Sequence, residues 1–288
     1  MSLRALYDLP APAKINAFLH VIGRRSDGYH LLQSVFVLID WADTLHVELR
    51  GDGALLRHDL GAPLPADDLC LRAARLLQTA SACTVGADIS IVKRVPWGAG
   101  LGGGSSDAAT TLLALNCLWQ LHWPRSRLHA LAQQLGADVP FFIGGRNAFV
   151  EGIGEKLTPI VWSQQLYAVL KPAASLATQA VFAHPQLVRN TEPVILSGSF
   201  DGVQGGFGRN DLQAAATDQC PEVAQAARWL EAQFGNSRMT GSGSAVFARA
   251  GTCGQPGATF PQESLPAGWV GRMCSSLERH PLFGWAED

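Results

Sequence analysis

Pro96-Trp97-Gly98-Ala99-Gly100-Leu101-Gly102-Gly103-Gly104-Ser105-Ser106-Asp107 is the densest glycine cluster in the chain. Directly after it, residues 108–118 are rich in Ala and Leu and predict a helix. A glycine-rich loop that opens a helix is suited to hold an anion. Its backbone can approach closely, its N–H groups converge, and the helix dipole favours negative charge. Ser105 and Ser106 add hydroxyl donors. The pattern predicts a phosphate cradle rather than a flexible surface loop, because it abuts a strong helix and not a linker.

Three familiar phosphate motifs do not fit. Gly98, Gly100 and Gly103 match G-x-G-x-x-G, but a dinucleotide fold also needs an acidic residue about 20 positions on. Residues 115–124 supply none. A Walker A loop needs Lys and then Ser or Thr after its last glycine, and Gly104 precedes Ser105 directly. A protein kinase needs H-R-D and D-F-G further on, and both are absent.

Outward from the loop, residues 87–92 read as a strand and Asp67 and Asp68 as caps of a helix bearing Leu69, Ala73, Leu76 and Leu77 on one face. Residues 13–21, 34–40 and 44–49 read as strands, with a polar turn at 23–28. Ser126 opens a helix that Gly136 stops, and 147–151 with 155–161 form a hairpin. The second half predicts a strand at 166–170, a helix at 175–183, a glycine-rich loop at 198–208 and a helix from Pro221 to Phe234. Short strands at 238–240 and 245–250 flank Gly241-Ser242-Gly243-Ser244. After Ala250, glycine and proline break every pattern. Strands and helices without regular alternation predict an α+β fold in two lobes, 1–156 and 157–288.

The composition sets outer bounds. Thirty glycines in 288 residues exceed an average chain's share by about ten. Hydrophobic residues at 47% and charged residues at 16% support a large core and exclude whole-chain disorder. A net charge of −2 argues against a nucleic-acid binder. No apolar run is long enough for a membrane span, and the first ten residues lack a signal peptide's apolar stretch. Six scattered cysteines without a CxxC pair disfavour disulfides and zinc. A cytoplasmic protein is the expectation.

Residues 96–106, together with Pro12-Ala13-Lys14-Ile15-Asn16 and Met239-Thr240-Gly241-Ser242-Gly243-Ser244-Ala245-Val246-Phe247, resemble the three signatures of the GHMP kinase family. Its members (galactokinase, homoserine kinase, mevalonate kinase, phosphomevalonate kinase) are small-molecule kinases with two α+β lobes and a cleft between them. Lys14-Ile15-Asn16, Gly23-Arg24-Arg25-Ser26-Asp27-Gly28-Tyr29-His30 and Gly136-Ala137-Asp138-Val139-Pro140-Phe141-Phe142 narrow the resemblance to one branch. That branch acts on a cytidine-diphosphate-linked methylerythritol in the non-mevalonate route to isoprenoids. Trp97 and Ala99 depart from the commoner loop residues, and Ala99 implies no positive φ there.

The resemblance implies ATP-dependent phosphorylation of the substrate's 2-hydroxyl, with Mg²⁺, by a monomer or homodimer. A homoserine- or mevalonate-type kinase is the alternative, and its substrate contains no base to stack. Asp138 is implied as the proton acceptor, and its apolar surroundings require a partner for a carboxylate. Lys14, one of four lysines, would hold that carboxylate ionised. Pro96, Gly98, Ala99, Gly100, Leu101, Gly102, Gly103, Gly104, Ser105 and Ser106 are implied to hold ATP. Asn16, Tyr29, His30, Thr178 and Phe182 are implied to hold the substrate, with Tyr29 and Phe182 stacking on cytosine and His30 meeting its edge. No protein metal ligand is expected, because Mg²⁺ is commonly held by phosphates and water.

Overall fold

The computed structural model describes residues 3–66, 68–195, 208–253 and 259–288. Asp67 and residues 198–207 of the second glycine loop lie outside them. The first sheet starts as one long hairpin, β1 (Ala5–Arg24) against β2 (His30–Arg50), paired from Arg24↔His30 to Ala5↔Glu48 with register shifts between Leu6 and Leu9, Pro12 and Ala13, Asn16 and Phe18, and Val21 and Gly23. The sheet is completed by β3 (Leu55–Asp59), β4 (Gly86–Val92), β5 (Ala148–Gly152) and β6 (Lys156–Pro159), in the order β3-β4-β2-β5-β6 with β1 on β2. The two strands expected at 34–40 and 44–49 are one continuous strand. Its first half pairs with β5 and its second with β4. Asp43, between those two ranges, has its carboxylate buried against Lys93 and so stays inside the strand.

Four helices cover this sheet: α1 (Leu69–Ser81), α2 (Gly103–Leu118), α3 (Arg125–Ala132) and α4 (Val139–Gly144). Asp68 caps α1, its side chain accepting from the Leu71 N–H at 2.9 Å. α2 is buried almost all round, which suits a central core helix rather than an amphipathic surface one. It starts inside the glycine cluster, at Gly103, five residues before the expected start. Leu112, Leu115, Leu77, Ile89 and Phe141 are among the residues of the core between helices and sheet.

The second sheet is antiparallel and runs β10-β7-β9-β8: β7 (Gln165–Lys171), β8 (Arg238–Met239), β9 (Val246–Thr252) and β10 (Val270–Ser275). It packs with α5 (Thr178–Ala183), α6 (Leu212–Gln219) and α7 (Pro221–Phe234) around Leu170, Val223 and Leu230. A further core joins the lobes, with Ile15, Phe18 and Val37 meeting Tyr167, Val169 and Phe247. The sequence-based division at 156/157 falls inside β6, which pairs with β5. The sheets part between Pro159 and Gln165. The tail then returns to the first lobe: the Leu277 N–H donates to Leu38, that of His280 to Gly145, and Arg125 meets Asp288.

Candidate active site

The glycine-rich loop at 96–106 owes its shape to contacts made from both lobes. Gly98, Gly100 and Gly102 have φ of +63°, +74° and +71°, a region that strains residues carrying a Cβ. Ala99 has no positive φ, as its identity implied. A Cβ on Gly100 would overlap the Thr240 carbonyl oxygen, and one on Gly102 would lie 3.0 Å from Phe142 Cζ. From the other lobe, the Ala245 N–H donates to the Ala99 carbonyl at 3.1 Å, and the Thr240 hydroxyl to that of Gly100 at 3.3 Å. Asn210 holds the supporting turn, donating to the carbonyls of Met239 and Gly241 at 2.8 Å each. The second glycine motif thus supports the first.

Gly102 caps α2 without a side-chain bond, so the first backbone N–H groups of the helix remain available beside the loop. A cavity of about 310 Å³ lies on this side, lined by Lys93, Cys70, Asp68, the exposed ring of Trp97, and residues 98–105. A larger cleft of about 890 Å³ lies on the other side. Gly98, Gly100 and Gly102 line both. The loop is therefore the boundary between two chambers.

Lys14 and Asp138 meet in the larger chamber. Lys14 Nζ lies 3.5 Å from Asp138 Oδ2, with side-chain exposures of 4% and 30%. β1 buries Lys14 and ties its backbone N–H to the Leu101 carbonyl at 2.9 Å. The ammonium also donates to Asn16 Oδ1 at 2.6 Å and lies 4.4 Å from the centre of the Phe36 ring. Asn16 is fixed in turn: its backbone N–H donates to Thr240 Oγ1 and its amide to Ser34 Oγ, both at 2.9 Å. Asp138 stands at the start of α4 but makes no capping bond there. Its carboxylate faces Lys14 instead.

Tyr29, His30, Thr178 and Phe182 line the same cleft. The rings of His30 and Phe182 stack 5.1 Å apart at 30°, while Tyr29 is 61% exposed. Thr178 starts α5, three residues later than expected, and bonds Ser242 through its hydroxyl at 2.7 Å. Every expected site residue borders one of the two chambers except Ser106. That residue is fully buried, lines neither cavity, and its hydroxyl finds no hydrogen-bond partner among the described residues.

Sequence reasoning gave no site role to three groups: the pair Thr240 and Asn210, Arg189, and an ionic cluster. Thr240 and Asn210 act across more than two hundred and about thirty positions, respectively, with only their glycine-rich neighbours as a signal. Arg189 left none; its guanidinium donates to His30 Nε2 at 3.0 Å. The third group is an ionic cluster on the smaller cavity. Lys93 bridges the carboxylates of Asp43 and Asp107, and Asp43 also accepts the Arg94 and Val95 N–H groups at 2.5 and 2.8 Å. Burial, with Asp43 nearby, pushes the Asp107 carboxyl well above the usual carboxylate range.

The donors around the loop suit a metal carried by phosphates rather than one held by the protein. Among the described residues no group of three or more His, Cys, Asp or Glu could hold a metal. A nucleotide-borne Mg²⁺ needs few protein ligands, and the glycine cradle with Ser105 fits that arrangement.

The GHMP kinase N-terminal domain model matches residues 68–146, and the GHMP kinase C-terminal model residues 197–252. A protein of Methylibium petroleiphilum named 4-diphosphocytidyl-2-C-methyl-D-erythritol kinase is 66% identical over 99% of this chain and 100% of its own length. One of Paracidovorax citrulli with the same name is 54% identical, covering 99% of each. A crystal structure titled 4-(cytidine 5'-diphospho)-2C-methyl-D-erythritol kinase superposes with TM-score 0.75 at 33% identity, covering 93% of this chain and 98% of that one. Homoserine kinase from Cytophaga hutchinsonii, at TM-score 0.67, 16% identity and coverage of 97% and 96%, shares the fold. The chain belongs to the GHMP kinase family.

Proposed function

We infer that the chain is an ATP-dependent kinase that phosphorylates the 2-hydroxyl of 4-diphosphocytidyl-2-C-methyl-D-erythritol, giving the 2-phosphate and ADP. The observation that carries this reading is the Lys14–Asp138 pair at 3.5 Å, in a cleft that shares its glycine wall with the smaller cavity. The names of the relatives at 66% and 54% identity support the substrate. So do the aromatic and histidine side chains lining the same cleft, which suit a pyrimidine ring. A homoserine- or mevalonate-type substrate would leave Tyr29, His30 and Phe182 without a purpose.

Phosphoryl transfer asks a protein mainly for alignment and charge neutralisation. ATP occupies the smaller cavity, with its phosphates on the N–H groups of residues 98–105. Ser105 and the loop N–H groups would hold a nucleotide whose Mg²⁺ would supply charge neutralisation. The cytidine end of the acceptor reaches Tyr29, His30 and Phe182, and Thr178 contacts it beside them. Its 2-hydroxyl comes to Asp138, which accepts the hydroxyl hydrogen bond and then the proton. Lys14 pairs with the carboxylate and, with Asn16, fixes the acceptor. The first lobe supplies the phosphate loop and the catalytic pair, and the second supplies Thr178, Phe182 and the supporting glycine turn.

Among the described residues no helix is long and apolar enough to cross a membrane. We also propose a cytoplasmic location, supported by six free cysteines, and a monomer or homodimer without a nucleic-acid partner, in keeping with the net charge of −2. The test is ADP release with ATP, Mg²⁺ and the cytidylyl substrate, beside homoserine and mevalonate. Release with the first alone is expected. Release only with a control overturns the substrate, and none with any overturns the kinase reading.

A further inference from the structure

Arg189 Nε donates to His30 Nε2 at 3.0 Å. A guanidinium carries donors only and does not lose its proton in a protein. The nitrogen it meets must therefore hold a lone pair. In a neutral ring the single proton is then on Nδ1. Among the described residues Nδ1 has no hydrogen-bond partner, while His30 lines the cleft.

The surroundings keep this arrangement. Arg189 is fixed by three carbonyls, those of Leu187, Phe182 and His184, at 2.9, 3.2 and 2.9 Å. Phe182 stacks on the ring face and limits its rotation. Arg24 of β1 and Arg189 are the charged groups acting on the imidazole, and together with burial they hold its pKa below the usual histidine range. A second proton would put a third positive charge among them and remove the acceptor that Arg189 uses.

We propose that Arg189 is a positioning residue that fixes His30 as a neutral Nδ1–H donor, presented to an acceptor atom of the substrate's cytosine ring. This rests on the cytidylyl reading above. Cytosine offers O2 and an unprotonated N3 as acceptors, whereas N3 of uracil carries a proton. A histidine held as a donor therefore favours cytosine where it meets N3.

The test is a two-bond ¹H–¹⁵N spectrum of the full chain without substrate near pH 7.5, with His30 assigned by His30→Gln. A protonated Nδ1 and a bare Nε2 are expected. In Arg189→Leu the Nε2–H form gains population and the titration midpoint of His30 rises. Arg189→Lys keeps a donor and a charge, and holds the wild-type form in part. A purely structural role for Arg189 would lower stability and leave the proton where it was.

In kinetics, Arg189→Leu raises KM for the cytidylyl substrate about tenfold, the scale of one hydrogen bond, with kcat and KM for ATP little changed. Binding of cytidine 5'-diphosphate, measured by calorimetry, weakens in step. An Nε2–H ring in the wild type, or an unchanged spectrum in Arg189→Leu, overturns the proposal. If Arg189→Leu does not fold, the wild-type and Arg189→Lys spectra decide it. Failure of the kinase assay leaves these spectra valid, so the two readings fall separately.

Discussion

The carbonyl oxygen of Thr240 occupies the space that a side chain on Gly100 would need. The two residues are 140 positions apart, and their contact joins the phosphate loop to the second lobe. Gly100 also has φ +74°, which costs a residue with a Cβ about 1–2 kcal/mol. Gly104 differs: it lies in the first turn of α2 with no positive φ, and its nearest neighbour to an added Cβ is Leu69 Cδ1 at 3.9 Å. Gly100→Ala is therefore expected to destabilise the fold by at least about 2 kcal/mol. Gly104→Ala should match or exceed wild-type stability, by up to about 1 kcal/mol. Urea unfolding of the two variants checks this; equal losses would contradict it.

The Lys14–Asp138 pair can be tested without disturbing the loop. Asp138 is 30% exposed in its side chain and makes no capping bond to α4, so Asp138→Asn should fold normally. It can still accept the hydroxyl's hydrogen bond but cannot take the proton. A fall in kcat of about 10²–10⁴-fold is expected, with KM for ATP nearly unchanged. Lys14→Met removes the ammonium that Asp138 and Asn16 share, and should lower kcat similarly. Near-normal turnover of both variants with wild-type circular dichroism would remove Asp138 and Lys14 from the chemistry.

Much of this site was legible in sequence, for a physical reason. Close backbone approach forces glycine, so Gly98, Gly100 and Gly102 announce the cradle whatever surrounds it. A carboxylate in the apolar run 136–142 likewise announces a partner. What stayed hidden depends on distant pairing. Arg189 meets His30 across 159 positions and Asn16 meets Thr240 across 224, and neither arginine nor threonine is unusual in its own neighbourhood. α4 was hidden because it is six residues long with Pro140 near its start. β10 was hidden by Gly271, which is needed because the Phe260 ring fills the space of a side chain there. The continuity of β2 was hidden by Asp43, whose neutralising lysine comes from beyond β4.

His280 gives a pH prediction with a definite sign. It is 1% exposed, its Nδ1 accepts the Leu282 N–H, and its Nε2 has no partner among the described residues. Burial, with Arg125 nearby, lowers its pKa to about 3. The unfolded chain protonates the same ring near 6.5. The folded pKa is depressed, so the stability this neutral ring contributes is present above about 6.5 and is lost as pH falls towards about 3. At pH 5 the loss is about 2 kcal/mol. His280→Asn, which can still accept from Leu282, should flatten stability between pH 6.5 and 5. An unchanged slope would assign the acid sensitivity to other groups.

The Lys93 cluster separates the two carboxylates it neutralises. Asp43 keeps two backbone donors when the lysine is removed, at 2.5 and 2.8 Å. Asp107 keeps none: Lys93 bonds one of its oxygens, and the other has no partner among the described residues. Lys93→Met therefore leaves Asp107, already pushed above the usual carboxylate range by burial, to take up a proton as a poorly bonded buried acid, at an expected cost of about 1–3 kcal/mol. Adding Asp107→Asn replaces that acid with an amide of similar size that has no proton to take up, while Asp43 stays bonded to the backbone. The double variant should recover at least about 1 kcal/mol relative to Lys93→Met. If the two substitutions instead add, Asp43 is the carboxylate that needs the lysine, and the backbone donors are not enough to hold it.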